Sequence, residues 1–328
     1  MAAPNETDRF SSQLQNFEEK SAAIRRRYLA QKRSEPERFA RRIDLSWSVW
    51  MFGIEPFSES VARLAKHGIG FIEMKGDHFT AESGLEAELV REVLADRGMR
   101  VSGTCGMFSA ENDLSSNSAY VRQRAIDYVR REVDFLAEVG GHYLIVVPSA
   151  VGRPTGIDSA EGIRSATALR ACGDDFAKAR VAAAIEPIRS AEVSLVHTVD
   201  EACRYIEVVD HPGIGYVNAD TYHMLLEEAH IAEAIVSCGE RLANLHLADS
   251  NRNAPGTGMI DFDTVIMAAY LVGMNQEGRF LTAEPLGPIT DPYLLGNEPC
   301  RTELMDVLVR ETVGYVRARE EHVRSLTG

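Results

Sequence analysis

The sequence lacks most of what a secreted, membrane-bound or nucleic-acid-binding protein would carry. Cysteine is scarce: Cys105, Cys172, Cys203, Cys238 and Cys300 are scattered through 328 residues, odd in number and without a C-x-x-C pair. A disulfide framework and a thiolate zinc site are both disfavoured, and reduced thiols are expected. No apolar run reaches the roughly 18 residues that span a bilayer. The opening stretch MAAPNETDRFSSQLQNFEEK has no apolar segment of the kind a secretory signal needs. A cytoplasmic protein with no membrane partner is the expectation. Positive charge is short as well: 35 Lys and Arg stand against 49 Asp and Glu, a formal net charge of −14. A nucleic-acid binder would normally present a basic face, so nucleic acid is not an expected partner.

What is present is ordinary globular material, 45% hydrophobic and 26% charged. Residues 1–42 stand apart as an N-terminal helical extension. Leu14, Phe17, Ile24 and Tyr28 share one helical face, with Ser21 between them, and basic clusters (IRRR, KR, ARR) occupy the rest. A helix strapped across the outside of the main body is expected there, or a contact for a partner subunit. From residue 43 to 328, strand-like runs alternate with amphipathic stretches. The runs are Ile43–Trp47, Gly70–Met74, Arg100–Cys105, Tyr143–Pro148, Val181–Glu186, Ile214–Asp220, Leu242–Leu247 and Phe280–Glu284. Between and after them the helical patterns include Ala160–Ala179, Met224–Cys238 and a last one, Thr302–Val323. This alternation predicts a parallel α/β sheet. Eight runs and eight helices are the count of a single (β/α)₈ TIM barrel, and runs such as LIVV and VAAAI suit strands buried on both faces. A doubly wound open sheet would carry a glycine-rich turn after its first strand, where this chain reads SWSVWMFG.

In such a barrel the chemistry sits at the C-terminal ends of the strands. Four ligand-type residues end four successive runs: Glu186 in AIEP, Asp220 in YVNADTYHM, His246 in NLHLADSNRNAPGTG and Glu284 in LTAEPLGP. They are 34, 26 and 38 residues apart, about one strand–helix unit each. Any one alone is more simply a salt-bridge partner or a core histidine. Together, three buried carboxylates would repel one another without a cation. The set is hard and oxygen-rich, and suits one divalent ion: Mn²⁺ first, with Mg²⁺ or Co²⁺ as substitutes. Other strand-end residues are open to two readings. Trp47, with Trp50, Met51 and Phe52, either stacks on a substrate or packs the barrel. Glu73 binds a substrate hydroxyl or forms a surface salt bridge. Cys105, at the end of the third run, could line the pocket, and His78 follows in the loop after the second; neither has a firm role. Asp249 and Asn251 are expected to stabilise the loop after the seventh strand, whose turns come from Pro255, Gly256 and Gly258.

The segments AIEP, ADTYHM, HLADSNRNAPGTGMID and AEPLGP resemble, in order, the signatures of the xylose-isomerase-like barrel superfamily, above all its ketose 3-epimerase branch. The resemblance spans roughly Asp44 to Glu284. It implies that Glu186, Asp220, His246 and Glu284 hold the metal, that Glu186 and Glu284 are also the acid/base pair, and that His223, Arg252 and Glu192 contact the sugar. Where that branch reads E-x-x-N-R-F-E, this chain reads EPIRSAE, so Arg189 and Ser190 alter the sugar-facing surface. That change, the N-terminal arm and the run GGHYLIVVPS resemble the catalytic α subunit of C-glycoside deglycosidases. This second resemblance implies a metal-dependent carbon–carbon lyase acting on 3-keto-C-glycosides, a small β subunit as partner, and His142 as a further catalytic base. The bottom-up reading of His142 differs: it starts the fourth strand after Gly140-Gly141, where a helix cap or bottom-rim residue belongs. An epimerase of this kind would be a self-sufficient homo-oligomer. A nuclease of the same superfamily would need many more His ligands than nine His supply, and a scaffold would have no use for a metal at the barrel mouth.

Overall fold

A computed structural model describes residues 16–287 and 296–327. Leu14 of the expected arm face and Pro288 of the AEPLGP segment lie outside the described residues. The eight strands are β1 (Asp44–Ser48), β2 (Phe71–Lys75), β3 (Arg100–Cys105), β4 (Tyr143–Val146), β5 (Ala182–Ile185), β6 (Tyr216–Asp220), β7 (Leu242–Leu247) and β8 (Phe280–Ala283). They pair in sequence order, all parallel, and β8 closes on β1. The fold is therefore a closed (β/α)₈ barrel, as the alternation predicts.

Alternation along each strand sorts the side chains. Ser46 on β1 reaches Ser102 on β3, 2.7 Å away across the lumen, so Ser46 points inward and its neighbour Trp47 points out to the helices. Phe71 and Phe280 meet across the bottom of the lumen at 4.8 Å between centroids, and Tyr143 stacks beside them. The Tyr143 ring needs the bare backbone of Gly103, where a Cβ would sit 2.5 Å from it. Above this apolar floor lies a polar layer. Tyr143 donates to Glu73 at 2.7 Å, Thr282 to the Asn244 side-chain oxygen Oδ1 at 2.7 Å, and the Asn244 side-chain amide to Asn218 at 2.9 Å.

The outer ring consists of α2 (Phe57–Lys66), α3 (Ala87–Ala95), α4 (Ala119–Val139), α5 (Glu161–Arg170), α6 (Gly173–Ala179), α7 (Val199–Val209), α8 (Thr221–Glu227), α9 (Ile231–Cys238), α10 (Phe262–Leu271) and α11 (Thr302–Ser325). Two stretches that read as single helices are broken. Ala160–Ala179 divides into α5 and α6, where Gly173 lies so close to the His211 ring that a Cβ would be 2.2 Å from it. Met224–Cys238 divides at His230, whose ring accepts the Glu233 N–H at 3.2 Å and caps a new helix, α9.

The arm helix α1 (Phe17–Ser34) starts at Asn16, whose side chain accepts the Glu18 N–H at 2.8 Å. It lies outside the barrel against α10, as the strapped-helix reading expects. Ile24 and Tyr28 are buried, and Tyr28 packs on Tyr270 and donates to the Val323 carbonyl. Phe17 stays half exposed although its ring meets His230. No helix among the described residues is long and apolar enough to cross a membrane.

Candidate metal centre and active site

The register of β6 and β7 sets Asp220 directly opposite His246. One step further up, the Glu186 N–H bonds to the Val146 carbonyl and the Glu284 N–H to the Leu247 carbonyl, each at 3.0 Å. Those bonds carry both glutamates into the same layer, just past the ends of β5 and β8. The four residues foreseen as ligands therefore converge, and all are buried. His246 Nδ1 lies 3.6 Å from Glu186 Oε1 and 3.4 Å from Glu284 Oε2. Glu186, Asp220 and His246 bring ligand atoms within 4.8 Å of one another.

The partners of each group decide its role. Glu73 is wholly buried beneath His246, with its two oxygens 3.1 and 3.0 Å from Nε2. A carboxylate there accepts the Nε2 proton and leaves the Nδ1 lone pair facing Glu186 and Glu284. Glu73 thus orients His246 from behind, as carboxylates commonly do at metal-bound histidines; it is neither a surface salt bridge nor a residue of the cavity wall. Asp220 caps α8 through Oδ1, which accepts the Tyr222 N–H at 2.8 Å, while Oδ2 has no hydrogen bond among the described residues. A buried carboxylate oxygen with no donor fits a cation ligand.

Electrostatics point the same way. Burial pushes the Glu186 carboxyl well above its ordinary value, against the pull of His246 and with further help from Glu284 and Asp220. Burial, and then the charge of Glu284, raises Asp220 to about 6. Burial also works to raise Glu284, but His246, Arg252 and the Trp50 hydrogen bond outweigh it and bring it to about 2. His246 is pushed well above its ordinary range because Glu284 and Glu73 outweigh the cost of burying its charge. The pocket asks for positive charge at His246, and a divalent ion on Nδ1 would supply it without a proton. Three carboxylates and one imidazole fit such an ion.

Above the ligands opens a cavity of about 530 Å³. Glu186, Glu284, His223 and Arg252 line its polar side, and Lys75 and Asp77 its rim. His223 sits one turn into α8, 3.5 Å from Asp220; burial and then Arg252 hold its pKa well below the ordinary range, so it is neutral. Arg252 has a left-handed backbone (φ 56°), set by a loop that Asp249 organises. The Asp249 carboxylate accepts the backbone N–H groups of Ser250, Gly256 and Ile260, which is the loop-stabilising role expected for it. The Arg252 guanidinium lies 4.6 Å from the Tyr222 ring centroid and 3.8 Å from Glu284. Part of the lining is apolar: Phe79, Met107, Phe108, Val147, Val151 and Ile188.

That family of folds now has a counterpart in sequence. The model of the xylose isomerase-like TIM barrel matches residues 61–277, two thirds of the chain. The chain belongs to the xylose isomerase-like TIM barrel family. A ketose 3-epimerase of Arthrobacter globiformis is 28% identical over 232 residues, covering 69% of this chain and 78% of that protein. A 3-dehydro-D-guloside 4-epimerase of Escherichia coli (strain K12) is 29% identical over 229 residues, covering 65% of this chain and 86% of that protein. Among solved structures, a D-allulose 3-epimerase from Methylomonas sp. superposes with a TM-score of 0.74 at 22% identity, covering 86% of this chain and 99% of that one, a likeness of fold.

Besides Glu73, four expected site residues lie elsewhere in this family's barrel. His142 is at the wrong end: it precedes β4, its N–H bonds to the Ser102 carbonyl, and its ring lies 5.4 Å from Phe280, the first residue of β8. Gly140 before it is the left-handed helix cap that the glycine pair suggests. Trp47 is fully buried on the outer face of β1, stacked on Phe52. Arg189 and Glu192 pair with each other behind Arg252, with Glu192 Oε1 3.7 Å from Arg252 Nη1; they support that guanidinium and do not line the cavity. Trp50, read from sequence only as a stacking or packing residue, lines the cavity and donates its indole N–H to Glu284 at 2.6 Å, and the Asn218 amide donates to Glu186 at 2.9 Å. Asn218, Asn244 and Lys75 were missed. Each stands two positions from an inward-facing residue already noted (Asp220, His246 and Glu73), so the two-residue strand period carried their signal.

Proposed function

We propose that this protein is a divalent-metal-dependent epimerase or isomerase that moves a proton on the carbon next to the carbonyl of a keto-sugar, with Mn²⁺ as its ion. The observation that carries this reading is the pair Glu186 and Glu284. They come from strands three places apart, flank His246 Nδ1, and line the same cavity. Two carboxyl groups facing one cavity are what an acid and a base need to work on one substrate. A divalent ion held by Glu186, Asp220, His246 and Glu284 would supply Lewis acidity to a carbonyl oxygen. One glutamate takes the carbon-bound proton. The other returns a proton, and return on the opposite face inverts the centre. Arg252 and neutral His223 line the cavity where sugar oxygens would lie, and the apolar wall excludes water from the reacting side. The names of the curated relatives, a ketose 3-epimerase and a 3-dehydro-D-guloside 4-epimerase, support the reading.

Cleavage of a 3-keto-C-glycoside is a second reading, and one observation favours it: the apolar wall could hold an aromatic aglycone. It begins with the same proton removal, but its aglycone base would have to be something other than His142. The test is incubation of the Mn²⁺-loaded protein with D-fructose, D-tagatose and a C-aryl 3-keto-glucoside, with products separated chromatographically. Epimeric sugars are expected. Release of free aglycone without epimerisation would replace the first reading by the second, and no product from any of them would overturn both.

A further inference from the structure

Tyr128, Arg131, Glu132 and Phe135 lie on one face of α4, at the three- and four-residue spacing that groups helical side chains. All four grip the segment after β2. Glu132 accepts both the backbone N–H of His78 (2.9 Å) and its ring Nδ1–H (3.1 Å). Arg131 donates to the carbonyls of His78 (2.8 Å) and Phe79 (2.6 Å). The Phe135 ring packs on the His78 ring with centroids 4.3 Å apart. Tyr128 stacks almost parallel on Phe79 at 5.3 Å, donates to the Gly76 carbonyl at 2.9 Å, and accepts the Met107 N–H at 2.7 Å. One helix face thus anchors two loops that carry Phe79, Met107 and Phe108, half of the apolar cavity wall.

Glu132 is the unexpected member. It is fully buried in the middle of a helix, and its second oxygen has no hydrogen bond among the described residues. Burying a carboxylate costs several kcal/mol in order of magnitude, and an apolar residue would pack α4 more cheaply. Its hydrogen bonds and ion pair all go to His78. We propose that Glu132 is a positioning residue for substrate binding: through His78 it sets Phe79 at the rim of the cavity and so determines which keto-sugars fit. The proposal rests on the cavity being the keto-sugar site described above. It adds a specificity device separate from the proposed metal ligands.

The test is a double-mutant cycle with Glu132→Ala, Phe79→Ala and their combination, plus Glu132→Gln, whose amide oxygen still accepts the His78 N–H. Glu132→Ala should raise KM about tenfold, the equivalent of one lost hydrogen-bonded anchor, with kcat and Mn²⁺ affinity within about twofold. Glu132→Gln should recover most of the loss. The double variant should be no worse than Phe79→Ala alone, because both act through one side chain. Additive effects, or a fall in kcat without a change in KM, would overturn the proposal. Arg131→Met, at a half-exposed position, serves the same measurement if Glu132→Ala does not fold. Amide hydrogen exchange over 76–85 separates this idea from the functional reading. Exchange there should quicken at least about tenfold in Glu132→Ala while the strands are unchanged. If no keto-sugar is turned over but this exchange quickens, the functional reading fails and the clamp stands; unchanged exchange would sink the clamp.

Discussion

Each of the four residues proposed as ligands meets different neighbours. Glu284 is partnered by His246, Arg252 and Trp50 and is held ionised; among the described residues, Asp220 keeps one oxygen without a hydrogen-bond donor. Glu284→Gln should lower kcat by at least about a thousandfold, since it removes both a ligand and a proton carrier, while circular dichroism shows an intact barrel. Activity near wild type in that variant would refute the site. Glu73→Gln tests the residue behind the site. The amide presents a weaker acceptor to His246 Nε2, and Mn²⁺ affinity measured by calorimetry should fall about 10- to 100-fold. The convergence of the four residues proposed as ligands was legible in the sequence because each sits at a strand end, where side-chain direction and height follow from position alone. His142 and Trp47 were misplaced for the converse reasons. His142 belongs to the start of its strand, and Trp47 is one residue out of phase with the inward set. Glu192 and Arg189 could not be placed from sequence, because the course of the loop after β5 is set by its contacts with Arg252.

Among the elements, strands were more legible than helices. The strand runs announced themselves by apolar content, and the structure keeps all eight. Helical periodicity carried on through the breaks at Gly173 and His230, because a cap or a close approach interrupts the backbone without disturbing the apolar pattern. Tertiary ties between elements left no sequence signal at all. One such tie holds the turn that carries Trp50. Glu55 is paired with Arg63 of α2 through both oxygens and accepts a hydrogen bond from Ser60, and Arg63 in turn reaches Asp306 on α11. Burial works to raise the Glu55 carboxyl, but Arg63 and Ser60 outweigh it and bring it below 4.5. A group depressed in the folded state stabilises fully above its unfolded value, and that contribution is lost as the pH falls through the folded one. The Tm difference between wild type and Glu55→Gln should therefore be largest near pH 7 and shrink progressively below about pH 4.5. A difference that grew on acidification would contradict the assignment.

At the scale of the whole molecule, counting strands and helices was enough to reach a closed barrel, since few arrangements bury eight parallel strands on both faces. How the arm attaches was not legible beyond its apolar face. In the structure Ile24, Tyr28 and Phe39 are buried, with Tyr28 and Phe39 packed on Tyr270, and Lys20 pairs with Glu233 at 2.9 Å. Three large apolar side chains buried in this way contribute on the order of 5 kcal/mol. Removal of residues 1–42 should lower Tm by several degrees and expose an apolar stripe on α10, measurable by thermal unfolding and by dye binding. An unchanged Tm would show that the arm is dispensable to the fold.

In the proposed reaction Glu186 and Glu284 move a proton on carbon. This is tested most directly by incubating the Mn²⁺-loaded protein with a keto-sugar in D₂O and following deuterium at the carbons beside the carbonyl by NMR. Deuterium should enter at one such carbon, faster than in the metal-stripped protein, and Glu284→Gln should abolish its entry. Substrate converted with no deuterium incorporated, or incorporation that survives Glu284→Gln unchanged, would contradict the mechanism.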